Sequence, residues 1–290
     1  MSLPVFFCPA MQVEESQPGS PSPGKPYQAI RSWLQSAVPL MIVAPDPASV
    51  EDLCLAHDPA YVRGVLDCSR PNGFGTQSEA VAASLPWTVG SMVSAALHAL
   101  NKGGAAVSPT SGFHHAGYRF GGGFCTFNGL IVAARKALAR MAENGAAGAG
   151  RVGILDLDQH YGNGTADIIA KLGLENVAHW TLGHSSVSRG TAAVRWLESL
   201  PELISGEFDG CGLLMYQAGA DCHINDPLGG RFTTEQMRER DRLVFQTCKR
   251  LGLPVAWNLA GGYRNPLRHV LELHDQTAID CARAFGGEGE

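Results

Sequence analysis

Residues 153–165, Gly153-Ile154-Leu155-Asp156-Leu157-Asp158-Gln159-His160-Tyr161-Gly162-Asn163-Gly164-Thr165, constrain this chain more than any other stretch. An apolar run passes into three polar residues two apart: Asp156, Asp158 and His160. In an extended segment the side chains at i, i+2 and i+4 share one face. Two carboxylates and an imidazole at the mouth of a buried strand repel one another and lose hydration unless a cation or donors compensate. That donor set suits a divalent metal such as zinc. The glycines that follow let the backbone come close to it. A chain built around this stretch needs a buried sheet whose strand ends meet in a pocket.

The remaining sequence supplies one. Apolar runs predict strands over residues 40–44, 105–107, 151–158, 177–182, 212–218 and 254–260. Between them, helical periodicity predicts helices over 27–35, 82–100, 128–141, 166–172, 192–200 and 266–285, with a short one through Tyr61 and Val65. Thr233-Thr234-Glu235-Gln236 has the form of a capping box, starting a helix that ends near Gly252. Strands apolar on both faces, alternating with amphipathic helices, indicate an α/β fold: a single doubly wound, mainly parallel sheet with helices on both faces. The proline-rich stretch 11–26 reads as a surface loop. The expected division is therefore an N-terminal segment and loop, 1–26, and one domain, 27–290.

Composition excludes several classes. A hydrophobic share of 45% is that of a globular chain with a substantial core. Net charge is −5 with no Lys/Arg cluster, so no nucleic-acid partner is expected. No signal-peptide shape opens the chain and no unbroken apolar run has the length of a membrane span. The eight cysteines show no CxxC spacing, which argues against a zinc ribbon or a disulfide scaffold and for reduced thiols in a cytoplasm.

Four polar clusters follow predicted strands: His114-His115, Asp156/Asp158/His160, Asp221-Cys222-His223 and Tyr263. Parallel sheets bind ligands at the carboxyl ends of their strands, so these clusters share one edge. Asp158 and His160 supply two metal ligands, and Asp221 is the best third. Any one aspartate after a strand is more often a turn or cap residue, and adjacent histidines in a glycine-rich loop are often simply exposed. Shared placement weakens those readings. His114 and His115 then suggest a general base and its electrostatic partner, each needing an acceptor for its second nitrogen, for which Asp156 and Asn163 are free. The Tyr263 hydroxyl is suited to stabilising an oxyanion. Cys125 and Cys222 are read as packing residues.

Ser111-Gly112-Phe113-His114-His115-Ala116, Gly123-Phe124-Cys125, the Asp156–Thr165 stretch, Gly219-Ala220-Asp221 and Gly261-Gly262-Tyr263 together resemble the motif set of zinc-dependent histone deacetylases. The wider superfamily includes bacterial acetylpolyamine amidohydrolases. The resemblance implies zinc held by Asp158, His160 and Asp221, with His115 as general base then acid and His114 as its partner. It implies pairing of Asp156 with His114 and Asn163 with His115, and Tyr263 polarising the acyl carbonyl. It implies potassium beside the zinc, through Asp156, Asp158, His160 and carbonyls near Thr181 and Leu182. Phe113, Gly123 and Phe124 would line the substrate tunnel. The implied activity is removal of acetyl or short acyl groups from an acylated amine such as acetyl-lysine, by a metal-activated water.

Departures concern the substrate. Tyr161 stands where many members have histidine. Ser22-Pro23-Gly24-Lys25-Pro26 replaces a His-Pro-Glu-Arg-like segment, and Ser185–Thr191 lacks a tunnel aromatic. Residues 70–77 lack the aspartate that often holds a substrate backbone. An acetylpolyamine or small-metabolite deacetylase is the alternative. An arginase-like manganese ureohydrolase fits less well, because its metals need an Asp-x-His-x-Asp order. A non-catalytic acyl-ligand protein is disfavoured by the intact histidines and tyrosine. Oligomeric state, a homo-oligomer included, is left open.

Overall fold

The structure, a computed structural model, describes residues 2–13, 25–36, 38–145 and 150–286. Its frame is a seven-stranded parallel sheet of β1 (Leu3–Phe6), β2 (Leu40–Val43), β3 (Ala105–Ser108), β4 (Val152–Asp156), β5 (Val177–Thr181), β6 (Leu213–Gln217) and β7 (Val255–Asn258). The order across the sheet is β2-β1-β3-β7-β6-β4-β5. The helices are α1 (Lys25–Gln35), α2 (Val50–Leu53), α3 (Pro59–Leu66), α4 (Glu79–Lys102), α5 (Gly129–Glu143), α6 (Asn163–Leu172), α7 (Thr191–Glu207), α8 (Thr234–Leu251) and α9 (Arg268–Phe285).

Strand periodicity divides the core in two. Leu155, Leu214, Tyr216, Val255 and Trp257 face one way and pack with α1, α7, α8 and α9. Ile154, Leu213, Met215 and Ala256 face the other way and pack under α3, α4 and α5. This doubly wound arrangement is the expected one, because strands buried on both faces have no solvent side to mark with polar residues. Helix ends follow local chemistry: Thr233 and Gln236 form the expected capping box of α8, and Gly252 ends it in the left-handed region.

Two expectations need revision. No strand was predicted before residue 40, yet Leu3–Phe6 lies inside the sheet between β2 and β3. Its brevity and Pro4 hide it, since proline argues against an interior strand; only Val5 pairs with β3, at Val107. Second, β4 stops at Asp156 rather than Asp158. Helix α4 has the length and apolar composition of a membrane span, although no unbroken apolar run marks it. It packs instead as a core helix, burying Val81, Leu85, Val89 and Met92 among α3 and α5 residues.

Strands β3, β7, β6 and β4 are neighbours. The loops leaving their carboxyl ends therefore converge, although they lie far apart in sequence.

Candidate active site

Asp156, the last residue of β4, is fully buried and aligned across the sheet with Gln217 and Thr181. Beyond it the backbone turns. Asp158 N donates to Asp156 Oδ1 at 3.2 Å, and His160 N donates to Asp158 Oδ1 at 2.9 Å. The i, i+2, i+4 grouping thus arises from side chains accepting local amide bonds rather than from a longer strand. Asp221 arrives on the loop after β6, its Oδ1 accepting from Gln159 N at 3.0 Å.

The donor atoms of Asp158, His160 and Asp221 lie within 4.8 Å of one another. His160 Nδ1 sits 3.1 Å from Asp158 Oδ1 and 3.0 Å from Asp221 Oδ2. Its Nε2 donates to Leu228 O at 3.0 Å, the outer bond that orients a ligating imidazole. Asp221 is 0% and Asp158 1% exposed. Burial and the Asp158 charge push Asp221 up to about 7. Hydrogen bonds to Asp158 and then Asp221 raise His160 to about 10. Two buried carboxylates this close repel, and a divalent cation between them and an imidazole satisfies all three. The residues fit a zinc ion.

The histidine pair stands beside this cluster, ring centroids 4.0 Å apart. His114 Nδ1 donates to Asp156 Oδ2 at 2.7 Å, and His115 Nδ1 donates to Asn163 Oδ1 at 2.6 Å. Both partners are those expected. Burial lowers the His114 pKa, but the Asp156 and Asp158 charges more than reverse this, to about 9. His115 is lowered, by burial and then by the charge of His114. The pair is split into a charged member and a neutral one whose Nε2 lone pair is free. Their loop is pinned by Thr165 N to His114 O, Asn128 Nδ2 to Ala116 O, and the buried His57, whose Nδ1 donates to Gly117 O.

Tyr263, Gly123 and Phe124 line the same pocket as His114 and Asp158. Gly123 has φ +52, and a Cβ there would lie 2.3 Å from the His115 ring. At Gly261 a Cβ would lie 2.4 Å from Asp221 Oδ2, so only glycine lets the tyrosine loop pass the ligands. Phe113 departs from expectation. Its ring is buried among core side chains against Gly129, because its backbone N is turned inward to Gln217 Oε1.

Several contributors were not anticipated. Gln217 Nε2 donates to Asp156 Oδ1 at 2.8 Å; its signal was a polar residue closing an apolar strand. Asp226 Oδ2 accepts from Tyr263 N at 2.8 Å and fixes that loop. Lys25, placed by sequence in the preceding loop, opens α1 at 1% exposure and donates from Nζ to Ala260 O at 2.8 Å. Burial, opposed by Asp221 and Asp158, lowers it to about 8. Arg231 Nη1 reaches Leu182 O and Val187 O, and its Nε reaches Gln159 Oε1, bracing the rim.

Arg240 on α8 is 0% exposed. Its Nη1 donates to Leu157 O at 3.1 Å and Gly219 O at 2.8 Å, the carbonyls just ahead of Asp158 and Asp221. Its Nε donates to Asp241 Oδ1 at 2.7 Å, and Asp241 also accepts from Tyr216 and Thr277. Arg240→Met leaves the buried Asp241 carboxylate without its counter-charge and removes the guanidinium donor from Leu157 O and Gly219 O, so it should destabilise the protein by about 3 kcal/mol or more. Urea unfolding checks this; a midpoint unchanged from wild type would remove Arg240 as the brace of the ligand loops.

The profile of the histone deacetylase domain matches residues 21–180, more than half the chain. The chain belongs to that family. An uncharacterised protein of Picosynechococcus is 30% identical over 260 residues, 79% of this chain and 80% of its own length. Histone deacetylase 2 of Arabidopsis thaliana is 28% identical over 202 residues, 63% of this chain but only 50% of that protein. Among solved structures, the HDA15 HD domain superposes with TM-score 0.76 at 20% identity, covering 99% of this chain and 89% of that one. The acetylpolyamine aminohydrolase of Burkholderia pseudomallei superposes at 0.71 and 17% identity, covering 99% of both. These superpositions establish the shared α/β fold, and family membership places the chain among hydrolytic deacetylases.

Proposed function

We propose that this chain is a zinc-dependent amidohydrolase that removes acetyl or short acyl groups from an acylated amine such as acetyl-lysine. The observation that carries it is the Asp158/His160/Asp221 donor cluster standing beside the His114-His115 pair, with Asp158, His114 and Tyr263 lining one pocket. When bound, the metal supplies Lewis-acid polarisation of the acyl carbonyl and lowers the pKa of water. His115 Nε2 accepts the proton of the attacking water, its Nδ1–H held by Asn163. The Tyr263 hydroxyl, kept protonated by burial and then by the Asp158 and Asp221 charges, donates to the carbonyl oxygen as charge develops there. His114, charged through Asp156, stabilises that charge from below, and protonated His115 returns the proton to the leaving amine. Potassium beside Asp156 is part of the same proposal, supported by the alignment of Asp156 with Thr181. Eight cysteines without a disulfide support a reducing, cytoplasmic setting.

Metal analysis combined with a panel of acetylated peptides, polyamines and small amides, ranked by kcat/KM, tests the reading. Bound zinc without turnover of any acylated amine would overturn it. Proton balance offers a second check. At neutral pH the metal-free protein carries a proton on His160, with its pKa near 10, and part of one on Asp221, near 7. Coordination needs both groups deprotonated, so zinc uptake releases protons and affinity rises with pH, by about tenfold per unit for each proton displaced. Chelator competition between about pH 6 and 8 reads this; an affinity flat with pH would contradict the assigned ligands.

A further inference from the structure

Beside the catalytic pocket, the loops around residues 70–75 and 119–122 enclose a second cleft of about 500 Å³. Tyr61, Arg70, Phe74, Arg119 and Phe120 supply its functional side chains. That volume is in the range of small-molecule sites. An aromatic row joins the two spaces: the Tyr263 and Phe124 rings are 5.9 Å apart, and those of Phe124 and Phe74 are 6.0 Å apart. The loops are stitched together where Phe124 N donates to Gly73 O at 3.1 Å.

The charge of this cleft runs against that of the whole chain. No acidic side chain lines it, while two guanidinium groups do. Arg119 Nε donates to Asp58 Oδ2 at 2.9 Å, and Asp58 also caps α3 by accepting from Ala60 N and Tyr61 N. One carboxylate therefore answers one arginine and a helix end. The Arg70 stem lies over Gly64, and its guanidinium has no hydrogen bond or ion pair among the described residues. A free planar fork in an aromatic-walled cleft is suited to bidentate capture of a carboxylate.

We propose that this cleft recognises a carboxylate carried by the substrate, at the end of the acylated amine remote from the scissile amide. The proposal rests on the deacylase reading and narrows it to anionic acylated amines. Phe124 and Phe74 flank the connecting chain, and Arg70, supported by Arg119, holds the anionic end. A polyamine chain presents the wrong charge to this wall.

The test uses three N-acetylated amines of one chain length, ending in a carboxylate, a carboxamide or an ammonium group. Each is assayed with wild type, Arg70→Gln, Arg119→Gln, the double variant and Arg70→Glu. Wild type should favour the carboxylate over the carboxamide by about tenfold, chiefly in KM, and less so in high salt. The double variant should lose that preference while kcat/KM on the carboxamide stays within about twofold of wild type, as expected for exposed positions. Arg70→Glu should shift the order toward the ammonium compound. Equal kcat/KM for carboxylate and carboxamide in wild type, or an undiminished preference in the double variant, overturns the cleft. Should none of the three be hydrolysed, and none of the acetylated peptides, polyamines and small amides of the wider panel with zinc bound, the deacylase reading fails. Calorimetric binding then decides the cleft separately: tighter binding of the carboxylate compound, lost in the double variant, upholds it, and equal binding refutes it.

Discussion

Tyr263→Phe lowers kcat by about two to three orders of magnitude while zinc remains bound. The substitution removes one oxygen and little else. The loop is held by its backbone, through Tyr263 N to Asp226 Oδ2, and the ring rests on Phe124, so phenylalanine keeps the same seat. What disappears is the donor to an oxygen that becomes charged only as the carbon turns tetrahedral. KM should therefore change far less than kcat. His115→Ala should act on the same step from the other side, by about 10²- to 10⁴-fold. His114 cannot substitute for it, because Asp156 and Asp158 keep that imidazole protonated near neutrality. Steady-state kinetics with metal content measured on each preparation checks both variants. Retention of near wild-type kcat with zinc bound would show that the roles are misassigned.

The sheet and most helices were legible because they depend on local pattern: strands apolar on both faces, helices with one buried stripe, a capping box at Thr233. Leu3–Phe6 was not, because a four-residue strand containing proline carries no periodicity of its own. Its place is decided by neighbours. The ligand positions show the same division. Asp158, His160 and Asp221 stood out because buried acids after strands need a reason. The i, i+2, i+4 argument that first grouped Asp156, Asp158 and His160 was nonetheless incomplete, since the strand ends at Asp156 and amide bonds to carboxylates complete the turn. Gln217, Asp226, Leu228 O and Arg240 escaped because they act through contacts 21 to 83 residues apart or through a backbone oxygen. Phe113 misled by adjacency. It borders the histidine pair in sequence, but its ring belongs to the core.

Asp221→Ala should abolish stoichiometric zinc binding, lowering affinity by more than about a hundredfold, beyond the loss typical of a mere supporting group. The physics of the metal-free site makes the test sharper than activity alone. Asp221 is held near pKa 7 by burial and by Asp158, so without a cation the second carboxylate is a burden on the folded state. Asp221→Asn keeps an acceptor for Gln159 N and removes the charge. The metal-free Asp221→Asn protein should thus melt no lower than metal-free wild type. Added zinc reverses the ranking: at about 100 times its Kd, a ligand that binds only the folded state stabilises wild type by about 2.7 kcal/mol, and the variant should gain almost none of this. Thermal melts with chelator and with zinc read both halves, and zinc content after dialysis reads the ligand role directly. Full zinc occupancy in Asp221→Ala would refute that role. Low occupancy with a collapsed metal-free melt would instead show that Asp221 builds the loop rather than holding the ion. The expected pattern, a stable metal-free variant that zinc no longer stabilises, follows only if the buried acid pair exists for the cation.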